Sequence, residues 1–135
     1  MCGRFTQTLT PERIAEHFKV DEPLPLFKAN YNIAPTQNVV AIRLKAESAQ
    51  RECVLLRWGL IPVWAKEAKF GNQCINAKGE TVAEKPAYRS AFKKRRCLVV
   101  ADGFYEWQRV GERKQPMWIG RKDKQPFAFA GLWEW

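Results

Sequence analysis

The sequence has a single histidine, and its four cysteines stand far apart, at positions 2, 53, 74 and 97. Zinc sites are usually built from close pairs of cysteine or histidine, so this pattern excludes an ordinary zinc module. No apolar run approaches the roughly 20 residues that a membrane-spanning helix needs, and no basic-then-apolar leader opens the chain. Repeats, low-complexity tracts and linkers are also lacking. These absences favour a cytoplasmic globular protein with no metal, no other cofactor and no membrane partner.

Basic charge and aromatic residues are what the chain does carry. Its 135 residues include 23 Lys and Arg against 14 Asp and Glu, which gives a net charge of +9. With 46% hydrophobic and 13% aromatic residues, it is too apolar for an intrinsically disordered chain. The length suits one domain with one core. The charge indicates a polyanion as the first partner to consider, with nucleic acid ahead of a membrane surface.

Helices are predicted at two places only. Thr10–Glu12 is typical of a helix start, with threonine as the N-cap and proline in the first turn. Ile14 and Phe18 stand four residues apart and define the buried face of this helix. His17 lies near its end, and we interpret it as structural rather than catalytic. A second, short helix is predicted at Pro86–Lys93.

Most of the remaining pattern predicts β-structure. Because several strands are apolar on both faces, we expect an α+β fold that is predominantly β, a rolled-up sheet or open pseudo-barrel with a few short helices. The run after Phe127 is so apolar that we predict a central strand, with an exposed edge or an unfilled core unless more chain or a partner covers it. An extended loop is predicted at 21–28. The predicted strands are Asn38–Leu44 and Glu52–Trp58 as a hairpin, then Cys97–Val100, Phe104–Gln108, Met117–Ile119 and Phe127–Trp133.

Cys2 stands where its chemistry would be unusual. Methionine aminopeptidase generally removes Met1 before a small residue, which would leave a free α-amine and a thiol on the same residue. These groups ordinarily titrate near about 8 and 8.5, so both are partly nucleophilic at neutral pH. Such a pair condenses with an aldehyde to an imine, and the thiol then closes a thiazolidine ring. The alternative is an ordinary buried terminus. The other cysteines stand in or beside apolar runs and are interpreted as buried structural residues: Cys53, Cys74 and Cys97.

A second group of candidates follows the central hairpin. Trp58 is interpreted as part of the core. Trp64 stands at a predicted loop, where an aromatic face can stack on an unpaired base. Asn76, Lys78 and Glu80 are polar residues that follow an apolar strand. That pattern suits the wall of a site, but also an ordinary turn.

The third candidate is Glu106, which stands between aromatic residues in the run Ala101–Trp107. If this run is buried, the pKa of the carboxyl group tends to rise, which suits a general acid or base. The alternative is a carboxylate on the solvent face of an edge strand, and the sequence leaves both open. The basic run Lys93–Arg96 is a solvated face or a phosphate contact.

Five short motifs, taken together, resemble those of the SRAP (SOS response-associated peptidase) family, which includes the abasic-site crosslinking proteins of bacteria and vertebrates. The motifs occur in the family's order and rough spacing, over nearly the whole chain. They are Cys2–Phe5, Tyr31–Thr36, Trp58–Pro62, Ile75–Ala77 and Ala101–Trp107.

The resemblance implies a DNA-damage function. Family members bind single-stranded DNA at abasic sites and capture the ring-opened sugar aldehyde with the N-terminal cysteine. The resulting thiazolidine crosslink shields the lesion. By this resemblance Cys2 is the nucleophile, Asn76 positions the sugar or the cysteine, and Glu106 is the acid/base that assists imine formation.

The resemblance also implies which residues contact DNA. Arg4 and Lys78 would contact phosphates beside the lesion, and Trp64 would stack on or wedge against a base. Lys78 stands where the family often has arginine, which keeps the charge but loses the bidentate fork. Two other functions stay open: a thiol autopeptidase that releases Met1 through Cys2, and a non-catalytic binder of single-stranded DNA.

The family domain is longer than this chain, and its later part carries a catalytic histidine in a His-x-Arg-like motif. We therefore expect residues 1–135 to be the N-terminal two-thirds of a single SRAP-like domain. His17 is not expected to take that catalytic role, because it lies in the N-terminal helix.

Overall fold

The computed structural model describes residues 2–21 and 23–135, and in these ranges the strands form two four-stranded antiparallel sheets. Sheet 1 has the order β2-β1-β6-β7, and sheet 2 has the order β4-β3-β5-β8. The strands of sheet 1 are β1 (Phe5–Gln7), β2 (Asn30–Ile33), β6 (Gly103–Val110) and β7 (Arg113–Ile119). Those of sheet 2 are β3 (Asn38–Leu44), β4 (Arg51–Arg57), β5 (Arg96–Ala101) and β8 (Phe127–Leu132). The helices are α1 (Pro11–Phe18), α2 (Arg89–Lys94) and a 3-10 helix at Ala68–Gln73. The predicted class, predominantly β with a few short helices, is confirmed.

Helix α1 forms as its sequence predicts. The Thr10 hydroxyl accepts a hydrogen bond from the Arg13 backbone N–H (3.3 Å), which satisfies one of the free donors of the first turn. Ile14 and Phe18 are buried, and they pack in one cluster with residues of β3 and β5. The helix ends at Lys19, whose φ of 54° lies in the left-handed region. This packing fixes the chain just after β1.

A buried glutamine joins the two sheets. The Gln7 side chain is 4% exposed. Its Nε2 donates to the carbonyl oxygens of Val40 (3.0 Å) and Val100 (2.6 Å), and its Oε1 accepts from the Val40 N–H (3.0 Å). At the β5–β6 junction, the Asp102 carboxylate accepts from the Thr8 N–H (2.7 Å). The side chain of Gln7 thus holds β1, a strand of sheet 1, to β3 and β5 of sheet 2.

The core next to the chain start is aromatic. Phe5 is buried against Ile33, and Trp58, Phe104 and Phe129 pack around this cluster. The ring of Phe5 meets those of Trp58 and Phe129 edge-on, with centroids 5.1 and 5.6 Å apart. Cys2 packs against the same cluster. The core therefore determines where the N-terminal thiol lies.

The predicted hairpin of β3 and β4 is confirmed, with Asn38 opposite Arg57 and Leu44 opposite Arg51. Other boundaries differ from prediction. Helix α2 begins at Arg89 rather than Pro86, and β7 extends back to Arg113. The short strands β1 and β2, of three and four residues, and the six-residue 3-10 helix were not predicted, because such short elements carry too little periodicity. Of the predicted loop at 21–28, Glu22 lies outside the described residues, and the others belong to no helix or strand.

The strand predicted after Phe127 is present, and it lies at an edge of sheet 2. Within the described residues, β8 pairs with β5 alone and forms one edge of sheet 2. Its side chains are partly buried rather than fully covered, and Trp135 beyond it is 87% exposed. Apolar composition reports what a strand can pack against, but not how many neighbours it pairs with. The structure thus has the exposed edge that the sequence named as one alternative.

Candidate functional site

A cleft of about 630 Å³ opens beside the aromatic core. Side chains of both sheets and the loop between the 3-10 helix and α2 line it. Its wall is mostly apolar, with polar groups supplied at a few positions. The residues that bear on its chemistry are Cys2, Arg57, Trp58, Asn76, Tyr88 and Arg96.

Cys2 is half-buried at this cleft. Its thiol donates to the Arg4 carbonyl oxygen (3.4 Å), and its own carbonyl accepts a hydrogen bond from Asn76 Nδ2 (2.8 Å). Burial raises the pKa of the Cys2 thiol, and the negative charge of Glu106 raises it further. The thiol is therefore protonated at neutral pH. Met1, whose removal the sequence analysis assumed, lies outside the described residues.

The segment Cys74–Asn76 carries the amide that holds Cys2, and it is fixed by its carbonyl groups. The Cys74 carbonyl accepts from the Leu60 N–H (3.1 Å). The Ile75 carbonyl accepts from the Trp58 indole N–H (2.8 Å), and the Asn76 carbonyl accepts from the Tyr88 hydroxyl (3.2 Å). From the sequence, Trp58 is expected in the core, and Tyr88 is not named as a site residue. The signal for Trp58 was its indole N–H, which needs a partner when it is buried.

A close approach of two glycines builds the turn before this segment. Gly59 has a φ of +118°, and a Cβ there would lie 2.6 Å from the Gly71 carbonyl oxygen. The Arg57 guanidinium donates to the Gly59 carbonyl (2.9 Å) and to the Asn72 side chain (3.0 Å). The turn after β4 and the 3-10 helix therefore pack backbone to backbone. That contact places the start of Cys74–Asn76 beside Leu60 and Trp58.

Glu106 lies in an interior strand, β6, and its side chain is exposed. Of the two sequence alternatives, burial is wrong; the other is right in the solvent exposure of Glu106 and wrong in placing it on an edge strand. Phe5 pairs with Phe104, and the Tyr105 N–H donates to the Arg4 carbonyl (2.9 Å). Continuing this antiparallel register places Glu106 opposite the residue after Cys2. Its charge acts on the thiol from there.

Of the predicted DNA-contact residues, Arg4 is half-buried, and Lys78 and Trp64 are exposed. Arg4 Nη1 donates to the Asn32 side chain (3.2 Å), and Lys78 is exposed two residues after Asn76. Trp64 stands in a turn, is 53% exposed and packs edge-on against Phe70 at 4.9 Å. Trp64 is not among the described residues that line the cleft. The structure therefore brings Cys2, Asn76 and Glu106 together and leaves Trp64 apart from them.

The other cysteines are free thiols away from the terminus. Cys74 and Cys97 are buried, as predicted, whereas Cys53 is only half-buried. Burial raises the pKa of Cys53 and of Cys97 to about 11. His17 is exposed and meets Phe18 edge-on. Across 2–21 and 23–135, no group of three or more His, Cys, Asp or Glu side chains could hold a metal ion, and no helix is long and apolar enough to cross a membrane.

The arrangement also matches a known family. The family model described as SOS response associated peptidase (SRAP) matches residues 1–135. The chain belongs to the SRAP family. In this SRAP chain the family motifs meet at one place. The hydrogen bonds and packing described above join four of them: Cys2–Phe5, Trp58–Pro62, Ile75–Ala77 and Ala101–Trp107. The motif Tyr31–Thr36 joins them because the Thr36 N–H donates to the Trp58 carbonyl (2.8 Å).

Curated relatives of this SRAP chain carry names that refer to DNA lesions. It is 44% identical over 137 residues to "Abasic site processing protein YoaM" of Bacillus subtilis, which covers 99% of this chain and 60% of that protein. It is 36% identical over 142 residues to "Abasic site processing protein HMCES" of Xenopus tropicalis, covering 88% of this chain and 42% of that protein. The chain thus spans about 60% of the length of its Bacillus relative.

Solved structures agree on the fold. A protein from Bacteroides thetaiotaomicron superposes with a TM-score of 0.81 at 23% identity, over 98% of this chain and 61% of that one. A phage-related protein from Bordetella bronchiseptica superposes with a TM-score of 0.76 at 29% identity, over 97% of this chain and 60% of that one. Both likenesses cover the two sheets and the loops that carry the site.

Proposed function

We propose that this SRAP protein binds single-stranded DNA at abasic sites and forms a covalent thiazolidine through Cys2 once Met1 has been removed. The observation that carries the proposal is the placement of the Cys2 thiol at a cleft, with the Asn76 amide 2.8 Å from its carbonyl oxygen and the Glu106 charge acting on its thiol. The names of the relatives, abasic site processing proteins, support it.

The reaction needs only groups that Cys2 and Glu106 supply. The α-amine of Cys2 attacks the aldehyde carbon of the ring-opened sugar, and loss of one water leaves an imine. The thiol sulfur then adds to the imine carbon, and the thiol proton ends on the ring nitrogen. Glu106 carries protons between these atoms and leaving water, a general acid–base role. Because the thiolate is the attacking form of the sulfur, Glu106 takes up the thiol proton as the sulfur adds and delivers it to the ring nitrogen.

Charge and exposed aromatic surface supply the DNA binding. The net charge of +9 attracts the phosphate backbone. Arg4 and Lys78 contact phosphates on either side of the lesion, and Trp64 presents an exposed ring on which a base can stack. Crosslinking shields the lesion from cleavage. We place this activity in the cytoplasm, where bacterial DNA lies.

The direct test is a denaturing gel with three oligonucleotides: one with an abasic site, one with a tetrahydrofuran analogue that has no aldehyde, and one intact. We expect a slowly migrating species with the abasic strand only. Because DNA binding depends on charge, raising the salt concentration should slow its formation. If protein whose N-terminus is Cys2 yields no such species, or yields it equally with the tetrahydrofuran strand, the proposal is wrong.

Glu106→Gln should make the Cys2 thiol more reactive toward an alkylating agent and make crosslinking slower. Removing the negative charge lowers the pKa of the Cys2 thiol, so alkylation of Cys2 by iodoacetamide at pH 8 should become faster. Crosslinking should become slower by a factor on the order of 100, the usual contribution of a general acid or base. Peptide mass analysis measures alkylation at Cys2 separately from the other thiols.

The matched control is Glu112→Gln, which removes an exposed carboxylate at the turn between β6 and β7. It should change neither rate. If Glu106→Gln raises both alkylation and crosslinking, the carboxylate acts only by suppressing the thiolate and has no acid–base role. Wild-type alkylation should rise with pH, since the thiolate is the reactive form and burial, with the charge of Glu106, raises the pKa of the Cys2 thiol.

A further inference from the structure

The segment Cys74–Asn76 has no place in a helix or a strand, yet it holds the amide that contacts Cys2. Backbone carbonyls outside regular structure have no ladder partners of their own. Here each of the three finds a donor outside the segment, and two of those donors are side chains, those of Trp58 and Tyr88. The direction of the Asn76 side chain thus depends on these two side chains, which hold the backbone on either side of its Cα.

Both donors are themselves held rigidly. Tyr88 is 8% exposed and packs with Leu60, Val82 and Ala91. Burial, with a hydrogen bond to Cys74, raises the pKa of its hydroxyl to about 12, so the group donates throughout the neutral range. Trp58 meets the ring of Phe5 edge-on, which fixes the direction of its indole N–H.

We infer that Trp58 and Tyr88 are positioning residues for the reaction of Cys2. They donate hydrogen bonds to the carbonyl groups of Ile75 and Asn76. These bonds orient the Asn76 amide toward the Cys2 carbonyl and so keep the N-terminus at the cleft. This inference rests on the proposed crosslinking function. It adds two residues that act through Asn76 and not on DNA.

The test is Tyr88→Phe, which removes one oxygen atom and keeps the buried ring. Loss of one hydrogen bond should lower the crosslinking rate at saturating abasic DNA by roughly two- to tenfold. The DNA concentration for half-maximal rate should stay the same, because the variant keeps the ring and loses only the hydroxyl that donates to the Asn76 carbonyl. Tyr105→Phe is the matched control: it also loses a hydroxyl that donates to a backbone carbonyl, that of Tyr31 (3.0 Å), but away from Cys74–Asn76. Its rate should equal that of the wild type.

A second measurement does not depend on crosslinking. The side-chain amide resonances of Asn76, assigned by comparison with Asn76→Asp, should shift in Tyr88→Phe and stay in place in Tyr105→Phe. If the wild type fails to crosslink while these resonances still respond to Tyr88→Phe, the proposed function falls and the positioning contact stands. Should Tyr88→Phe be too unstable to measure, Trp58→Phe removes the other hydrogen bond, that to the Ile75 carbonyl. The crosslinking rate and the Asn76 resonances are then measured in the same way. Unchanged resonances and an unchanged maximal rate in a folded variant would overturn the inference.

Discussion

Replacing Cys2 by alanine should abolish the stable crosslink to abasic DNA. This loss is larger than the roughly 100-fold decrease in rate expected for Glu106→Gln, which removes only a general acid or base. Alanine, like cysteine, is a small residue after Met1, so removal of the methionine still leaves a free α-amine. The variant therefore keeps the imine-forming amine and loses only the sulfur that closes the ring. An imine hydrolyses back to the aldehyde, whereas a thiazolidine persists.

Two additions make this result specific to the sulfur of Cys2. Borohydride, which reduces an imine to a stable amine, should restore a trapped species in Cys2→Ala. Intact mass must first show that Met1 is absent from both proteins. Cys53→Ala is the thiol control, since Cys53 is half-buried in β4 and does not line the cleft. A persistent crosslink in Cys2→Ala without borohydride would place the bond on another nucleophile.

Local structure was predictable where one short pattern determines it. The N-cap and the four-residue spacing of Ile14 and Phe18 predict α1, and two alternating runs joined by a turn predict the hairpin of β3 and β4. The edge position of β8 was not predictable in the same way. Strand order depends on pairing between residues far apart in the chain, which no local pattern encodes.

The candidate site follows the same rule. Cys2, Asn76 and Glu106 were named from their chemistry and from the family motifs, and the structure brings them together. The sequence left the exposure of Glu106 open, because aromatic neighbours in sequence do not lie on the same side of a strand as the residue between them. Tyr88 was missed as a hydrogen-bond donor, since its partner lies in a loop whose course no periodicity describes.

Gly59→Ala should destabilise the fold strongly. The residue has a φ of +118°, a conformation that alanine adopts only under strain. The added Cβ would also lie 2.6 Å from the Gly71 carbonyl oxygen and 2.9 Å from Arg57 Nη1. The first of these is backbone and cannot rotate away. Together, strain and overpacking predict a loss of about 3 kcal/mol in the free energy of unfolding.

For a domain of this size, that loss lowers Tm by roughly 10 °C, measured by circular dichroism or calorimetry. Gly79→Ala is the matched control, because a Cβ there meets no atom within 4 Å, and its Tm should stay close to that of the wild type. Crosslinking by Gly59→Ala should fall even well below its Tm, because the turn carries the N–H of Leu60 and the indole of Trp58 that hold Cys74–Asn76. If Gly59→Ala keeps the wild-type Tm, the turn and the 3-10 helix can separate without cost, and the close contact of the two glycines does not hold this segment in place.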